Sequence, residues 1–213
     1  MHVGASSGRS DRGAGASVFV DRRVTVFSAN GRLDQVGELA GVTSVGVRGA
    51  DSVYVVDQRK ASAPKDKLLD MTSVSRLFPI TEWLGLLLAT GIRGEGRALA
   101  HEATNQAGKF CSKLGYEMSA DVLAQWIADR TKIWTQYGAK RPSGVVAMIL
   151  GIDEEKETPQ LSTCDPAGYF LSHKAASAGQ RDREAVNFLE KKTKNNPSLS
   201  FQETVQVRVF SFI

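Results

Sequence analysis

Thr43 is a candidate nucleophile within the stretch GELAGVTSVGVRGADSVYVVDQRK, residues 37–60. A threonine hydroxyl is activated when the residue stands at a processed amino terminus, where the free amine can accept its proton. Forty-two residues precede Thr43, so a free amine there requires cleavage of the chain. The alternating valines on both sides of RGADS predict a β-hairpin over residues 43–57 with one face in the core. These residues alone leave a catalytic role and a purely structural role open.

Three glycines in TGIRGEGRA, Thr90–Ala98, lie between a predicted strand and a predicted helix. Backbone amides at the start of a helix can hold a phosphate group. The spacing here is G-x-x-G-x-G, which differs from the dinucleotide-binding G-x-G-x-x-G, and no G-K-[ST] follows. We therefore interpret the glycines as a tight turn from strand to helix, with nucleotide binding as the less favoured alternative.

Two further segments, RPSG and CDPAG, carry the residue types of turns. Proline fixes φ and keeps the preceding residue extended, while glycine permits a positive φ. Asp165 in isolation could be a catalytic carboxylate, but capping of its turn is the favoured interpretation. The predicted turn residues are Arg141, Pro142, Gly144, Asp165, Pro166 and Gly168.

The cysteines and histidines are widely separated in the sequence. Cys111 and Cys164 form no C-x-x-C pair, and the three histidines form no H-E-x-x-H motif. We expect buried reduced thiols, no metal site and no cofactor. The absence of G-x-S-x-G also argues against a serine hydrolase.

Length and composition are those of one globular domain. The chain has 213 residues, 42% hydrophobic and 23% charged, and its formal net charge is +4. The basic residues are scattered, so nucleic-acid binding is disfavoured, and no apolar run is long enough for a membrane span. Residues 1–19, rich in Gly, Ser and Arg, lack a secretory apolar region and predict a mobile tail. We expect a soluble protein without a nucleic-acid or membrane partner.

The elements that would position these residues come in the order strands, two helices, strands and one helix. Apolar runs at 83–89 and 145–153 predict strands covered on both faces. Helices are predicted over about 94–113, after Ser119, and over 181–194, with another strand at 169–175. In the second helix an apolar stripe is formed by Val122, Leu123, Trp126, Ile127, Ile133, Trp134 and Tyr137. This order favours an α+β layered sandwich over a doubly wound sheet.

Several segments in this order resemble the alpha-type subunits of the 20S proteasome core particle. They are DRRVTVFSANGRLDQV, GVTSVGVRG, DKLLD, WTQYGAKRPSGVVAMILGID, CDPAGYF and KAASAG followed by FLEKK, and they span about residues 20–205. GYE, IAD, GIDEE and FLEKKTK most resemble the subunit at the first ring position, also called type 6. The resemblance implies a four-layer αββα sandwich of two antiparallel sheets between helix layers, with residues 20–213 as one domain that follows the tail.

The resemblance also implies that this chain is not an enzyme. In the related beta subunits an amino-terminal threonine is the nucleophile, and matching VGVRG to that strand places Val42 at its position. Gln58 falls where the beta site has a carboxylate, and Thr43 lies one residue too late. The alternative is a standalone amino-terminal threonine hydrolase of the bacterial proteasome-like type, and a third possibility is a divergent product that does not assemble.

The resemblance further assigns binding residues. Arg76 matches a basic position that docks the C-terminal tails of activators, with a solvated arginine at a strand end as the alternative. Gate and ring contacts are expected at Val20, Asp21, Arg22, Phe27, Gly31 and Arg32, although Val20 replaces a family aromatic residue. Implied partners are other alpha subunits in a seven-membered ring, beta subunits, and activators or a regulatory ATPase particle, in the cytoplasm and nucleus. Compared with the family, about ten residues of the first helix and part of the C-terminal segment are expected to be missing.

Overall fold

The computed structural model describes residues 43–58, 75–136, 143–153 and 157–195. The strands are β1 (Ser44–Arg48), β2 (Val53–Asp57), β3 (Leu77–Pro79), β4 (Leu84–Thr90), β5 (Val146–Ile152), β6 (Pro159–Cys164), β7 (Phe170–Ser172) and β8 (Ala175–Ala178). The helices are α1 (Arg93–Leu114) and α2 (Ala120–Gln136), between β4 and β5, and α3 (Asp182–Asn195), after β8. None of the helices within these ranges is long and apolar enough to cross a membrane.

The strands form two antiparallel sheets that pack face to face. One sheet has the order β2-β1-β8, and the other has the order β3-β4-β5-β6-β7. Helices α1 and α2 cover the outer face of the five-stranded sheet, and α3 covers the outer face of the three-stranded sheet. The predicted α+β sandwich with four layers is therefore confirmed.

Three apolar clusters separate the four layers. The largest, between α1, α2 and the five-stranded sheet, includes Leu86, Leu123 and Ile149, each without solvent exposure. A second cluster, with Met148 and Leu161, fills the space between the sheets. The third lies between β1 and α3. Leu87 faces the inter-sheet cluster, while its neighbours Leu86 and Leu88 face the helices, which explains the uninterrupted apolar run of β4.

Alternation of valines explains the first hairpin. In β1, Val45 and Val47 face α3, and β1 pairs with β2 so that Ser44 lies opposite Asp57 and Arg48 opposite Val53. Gly46 faces the other sheet, where an added Cβ would lie only 3.0 Å from Leu161 Cδ1. The two sheets can therefore approach closely at this point because Gly46 has no side chain.

The structure corrects the prediction of one strand over residues 169–175. This segment forms β7 at the edge of the five-stranded sheet, and β8 begins at its last residue in the other sheet. The backbone N–H of His173 still donates to Leu161 of β6, whereas the carbonyl of Lys174 accepts the N–H of Arg48 of β1. The chain therefore crosses from one sheet to the other at His173 and Lys174, and the extended segment contributes a strand to each sheet.

The predicted stripe on the second helix is only partly correct. Leu123 and Ile127 are fully buried, but Val122 and Ile133 are 41% and 40% exposed. The buried face is completed by small residues: Ala120, Ala124, Ala128 and Thr131. Small side chains allow the helix to lie close to the sheet, which apolar periodicity alone does not reveal. Tyr137, the last member of the predicted stripe, lies outside the described residues.

Candidate functional site

Many residues that the sequence analysis singles out lie outside the described part of the chain. These are Val20, Asp21, Arg22, Phe27, Gly31, Arg32, Val42, Arg141 and Pro142. Thr43, Gln58, Arg76, Gly144 and the CDPAG turn are described. The candidate functional site is therefore built from Arg76 and its neighbours, which we call the polar junction: Ser44, Asp57, Arg76, and the carbonyl groups of Ala89 and Gly91.

Arg76 precedes β3, and its guanidinium group reaches across to the other sheet. Its Nη1 atom lies 3.2 Å from Oδ1 of Asp57, at the end of β2, and forms a salt bridge. Its Nη2 atom donates to the carbonyl oxygen of Gly91 at 3.4 Å. The side chains of Arg76 and Asp57 are 12% and 15% exposed. This burial contradicts the expectation of a solvated arginine, since the cation is paired with an internal carboxylate.

Ser44 completes the polar junction from β1. Its Oγ lies 3.0 Å from Oδ1 of Asp57 and 3.0 Å from the carbonyl oxygen of Ala89 in β4. A serine hydroxyl has one proton, so it donates to one of these acceptors at a time or is shared between them. Ser44 has no solvent exposure. The serine and carboxylate therefore connect the two sheets, and the hydroxyl is closed to a substrate.

Thr43, the candidate nucleophile, is also buried, with 4% exposure. Its Oγ1 accepts a hydrogen bond from the backbone N–H of Arg181 at 3.2 Å, just before α3. Its carbonyl oxygen accepts the N–H of Gln58 at 3.1 Å. Gln58 thus lies beside Thr43 but contributes an amide side chain, while the nearby carboxylate of Asp57 is directed to Ser44 and Arg76. The arrangement holds a sheet end in place and presents no open hydroxyl.

The glycine-rich segment after β4 forms a strand-to-helix turn. Gly91 has φ of +108°, and an added Cβ would lie 2.0 Å from the carbonyl oxygen of Gly144. The N–H of Gly144 donates to Oε2 of Glu95 in the first turn of α1, at 2.9 Å. Gly96 packs against Leu88, where a Cβ would lie 2.6 Å from Cδ2. Gly91 therefore lets two backbone segments approach closely, and Gly96 lets the helix pack against the core. The carboxylate of Glu95 occupies the start of α1.

The CDPAG segment forms a tight turn after β6. The N–H of Gly168 donates to the carbonyl oxygen of Asp165 at 2.9 Å, and Gly168 has φ of +83°. Oδ1 of Asp165 lies 3.4 Å from the N–H of Ala167. Pro166 is fully buried. The Asp165 side chain therefore contacts the backbone of its own turn, which is the arrangement expected of a capping residue.

The remaining reactive groups are dispersed. Burial raises the pKa of the Cys164 thiol well above its usual range, and Asp165 adds to the effect. Cys111, in contrast, is exposed on α1, which corrects the expectation that both thiols are buried. Burial lowers the pKa of His173, whose Nε2 lies 2.9 Å from Oγ1 of Thr163. Within the described ranges, no group of three or more potential metal ligands comes together.

The sequence alone gives no signal that Ser44 and Asp57 belong to the site. The two residues are cross-strand partners in the β1–β2 hairpin, so the exact hairpin register would have placed them together. The contact with Arg76 joins positions that are 19 residues apart, across a segment outside the described residues. No spacing rule connects such positions, and only the packing of the two sheets reveals the pair.

Comparison with known proteins places the chain among related sequences. A family model described as proteasome subunit matches residues 39–210. The chain is 41% identical over 182 residues to the probable proteasome subunit alpha type-1 of Schizosaccharomyces pombe, which covers 83% of this chain and 72% of that protein. It is 30% identical over 201 residues to the proteasome subunit alpha type-6 of Caenorhabditis elegans, and the match covers 92% of this chain and 80% of that protein. The proteasome subunit alpha of Saccharolobus solfataricus is 32% identical over 195 residues, and the match covers 89% of this chain and 78% of that protein.

Proposed function

This chain belongs to the proteasome subunit family, and we propose that it acts through its interfaces and not through a reaction of its own. It is an alpha-type subunit, a structural and non-catalytic component of the 20S core particle that degrades proteins, and it assembles with other proteasome subunits. The observation that carries this conclusion is the 41% identity over 83% of the chain to an alpha-named subunit. The burial of Thr43 supports the same conclusion.

We further propose specific partners and a place in the ring. The chain would contact two neighbouring alpha subunits and one beta subunit, and its first residues would contribute to the gate over the pore. The sequence motifs support the first ring position, also called type 6. From the family resemblance alone, we propose a cytoplasmic and nuclear particle.

Assembly is tested by replacing the chain in cells with a tagged copy and analysing the purified complex by native mass spectrometry. A complex that contains other alpha subunits and beta subunits is expected, and the masses of subcomplexes identify the ring neighbours. A species at the monomer mass of 23.0 kDa alone would refute the proposal. Imaging of the tagged copy tests the compartment.

A standalone threonine hydrolase is not favoured. It would need a mature chain that starts at Thr43, whose hydroxyl now accepts a hydrogen bond inside the fold. Amino-terminal sequencing of the purified chain, together with labelling by an electrophilic threonine inhibitor, distinguishes the two. We expect neither a Thr43 amino terminus nor an adduct on this chain.

The docking role of Arg76 is part of the proposal. An arginine can bind a terminal carboxylate through two parallel hydrogen bonds, which favours recognition of a chain end. We expect Arg76→Gln, in a particle that assembles normally, to weaken binding of an activator. Arg183→Gln is the matched control, because it removes the same charge at an exposed position on α3. Equal activator binding by both variants would exclude the docking role.

A further inference from the structure

The guanidinium group of Arg76 already holds an anion that belongs to the same chain. Nη1 donates to Oδ1 of Asp57 at 3.2 Å, and Nη2 donates to the carbonyl oxygen of Gly91 at 3.4 Å. A bidentate carboxylate uses two parallel N–H donors of an arginine. The two terminal nitrogens thus point at internal acceptors, so a carboxylate that binds end-on, through both Nη1 and Nη2, has to displace at least one of them.

The geometry points to Asp57 as an internal competitor of the docking carboxylate at Arg76. Binding of a tail would exchange one carboxylate for another at the same cation, and no covalent bond forms or breaks. This inference rests on the proposed docking role of Arg76 and adds a regulatory part to it. The internal pair holds the site closed until a tail with sufficient further contacts opens it.

The polar junction makes such an exchange possible without leaving the Asp57 carboxylate bare of hydrogen bonds. If Arg76 turns away, Asp57 keeps the hydrogen bond from Ser44 Oγ at 3.0 Å. The Ser44 hydroxyl has two acceptors, Asp57 and the carbonyl oxygen of Ala89. Its single proton can therefore turn from Ala89 to Asp57. The exchange conserves a charge-assisted contact at Arg76, so the carboxylate of a tail contributes less net affinity than it would at a free arginine.

The consequence is selectivity. A bare carboxylate gains little by displacing Asp57, because it makes the same kind of contact that it breaks. Affinity must then come from the residues of the tail that precede its carboxylate. Removal of the Asp57 charge should strengthen binding and also reduce this dependence on the rest of the tail.

The test uses assembled particles in which this chain carries Asp57→Asn, which retains the shape of the side chain and an acceptor for Ser44. Asp51→Asn is the matched control, because Asp51 is an exposed carboxylate in the turn of the same hairpin. The probe is a fluorescein-labelled peptide with the last residues of a regulatory ATPase subunit and a photo-crosslinking residue. It is used with a free carboxylate and as its C-terminal amide, and labelling of this chain is measured by mass spectrometry.

We expect Asp57→Asn to lower the Kd of the carboxylate peptide for this chain by about tenfold, since a hydrogen bond between charged groups has a net strength of this order. The amide peptide should change much less. Asp51→Asn should leave both unchanged. If Asp57→Asn behaves like Asp51→Asn while Arg76→Gln abolishes the preference for the carboxylate, the competitor role is wrong and docking stands. If Arg76→Gln has no effect, docking itself is wrong.

A second measurement covers the case in which Asp57→Asn prevents assembly. In the wild-type particle with the carboxylate peptide bound, electron cryomicroscopy should show the salt bridge open, with more than 4 Å between Asp57 Oδ1 and Arg76 Nη1, the usual limit for an ion pair. A peptide carboxylate on Arg76 with the pair still at 3.2 Å would overturn the inference.

Discussion

Gly91→Ala is the substitution to which the polar junction should be most sensitive. The new Cβ would lie 2.0 Å from the carbonyl oxygen of Gly144, whereas ordinary contacts begin near 3.4 Å. The loop at Gly144 would therefore have to retreat by about 1.4 Å. Both partners are backbone atoms, so a change of side-chain rotamer cannot relieve the contact.

Two costs follow from this contact. A non-glycine residue at φ of +108° is strained by about 1–2 kcal/mol. Retreat of the loop also breaks the hydrogen bond from Gly144 N–H to the Glu95 carboxylate, which contributes about 1.5–3 kcal/mol. We expect a total loss of about 4 kcal/mol in the free energy of unfolding. For a chain of this size, that corresponds to a decrease of about 8–16 °C in Tm.

The matched control is Gly94→Ala, in the first turn of α1, where an added Cβ meets nothing within 4 Å. Alanine favours a helix over glycine by about 1 kcal/mol, so the control should be neutral or slightly stabilising. Thermal and urea unfolding, followed by tryptophan fluorescence, measure both variants, and recovery of tagged chain in the particle measures assembly. Equal Tm values for Gly91→Ala and Gly94→Ala would refute the packing argument.

Three further predictions concern reactive side chains. Thr43→Val should lower the free energy of unfolding by about 1 kcal/mol, because the N–H of Arg181 loses its acceptor. The peptidase activity per assembled particle should stay unchanged, and a loss of that activity would contradict the structural role of Thr43. In the purified native chain, maleimide should add once, at exposed Cys111, and reach buried Cys164 only after unfolding, as peptide mass mapping will show; rapid labelling of Cys164 would disagree. The pKa of His173 is lowered in the folded chain, so below about pH 6.5 the unfolded chain binds more protons and the free energy of unfolding should decrease as the pH falls. His173→Gln should make this decrease smaller in urea titrations at several pH values. An unchanged pH dependence would exclude His173 as its source.

The elements that the sequence predicts correctly are those with a clear period. Alternating valines predict the β1–β2 hairpin, and the run WLGLLLA predicts β4, because β4 is covered on both faces. The sequence PQLSTC of β6 carries polar residues and has no such signal. Ser162 occupies a buried position in β6 because Asp121 of α2 accepts its hydroxyl hydrogen bond at 2.8 Å. A strand whose polar groups are satisfied by another layer cannot be recognised from its own residues.

The candidate site shows the same division. The family resemblance identifies Arg76, but the pairing of Arg76 with Asp57 depends on how the end of β2 meets the segment before β3. The turn at Gly91 could be predicted from its glycines, whereas its contact with Gly144 joins residues that are more than fifty positions apart. Local chemistry thus predicts turns, and the relation between turns requires the assembled sheets.

The hydroxyl and carboxyl groups near Thr43 have a structural reason to be present. Two sheets that pack face to face leave backbone carbonyl groups at their ends, and buried polar groups need partners. The carbonyl oxygen of Ala89, the next-to-last residue of β4, accepts a hydrogen bond from Ser44, while the N–H of Arg181 donates to Thr43. The same residue types that could support catalysis therefore satisfy the sandwich itself. Because each hydroxyl is already committed to an acceptor or donor inside the fold, nucleophilic chemistry here would first require the sheet end to come apart.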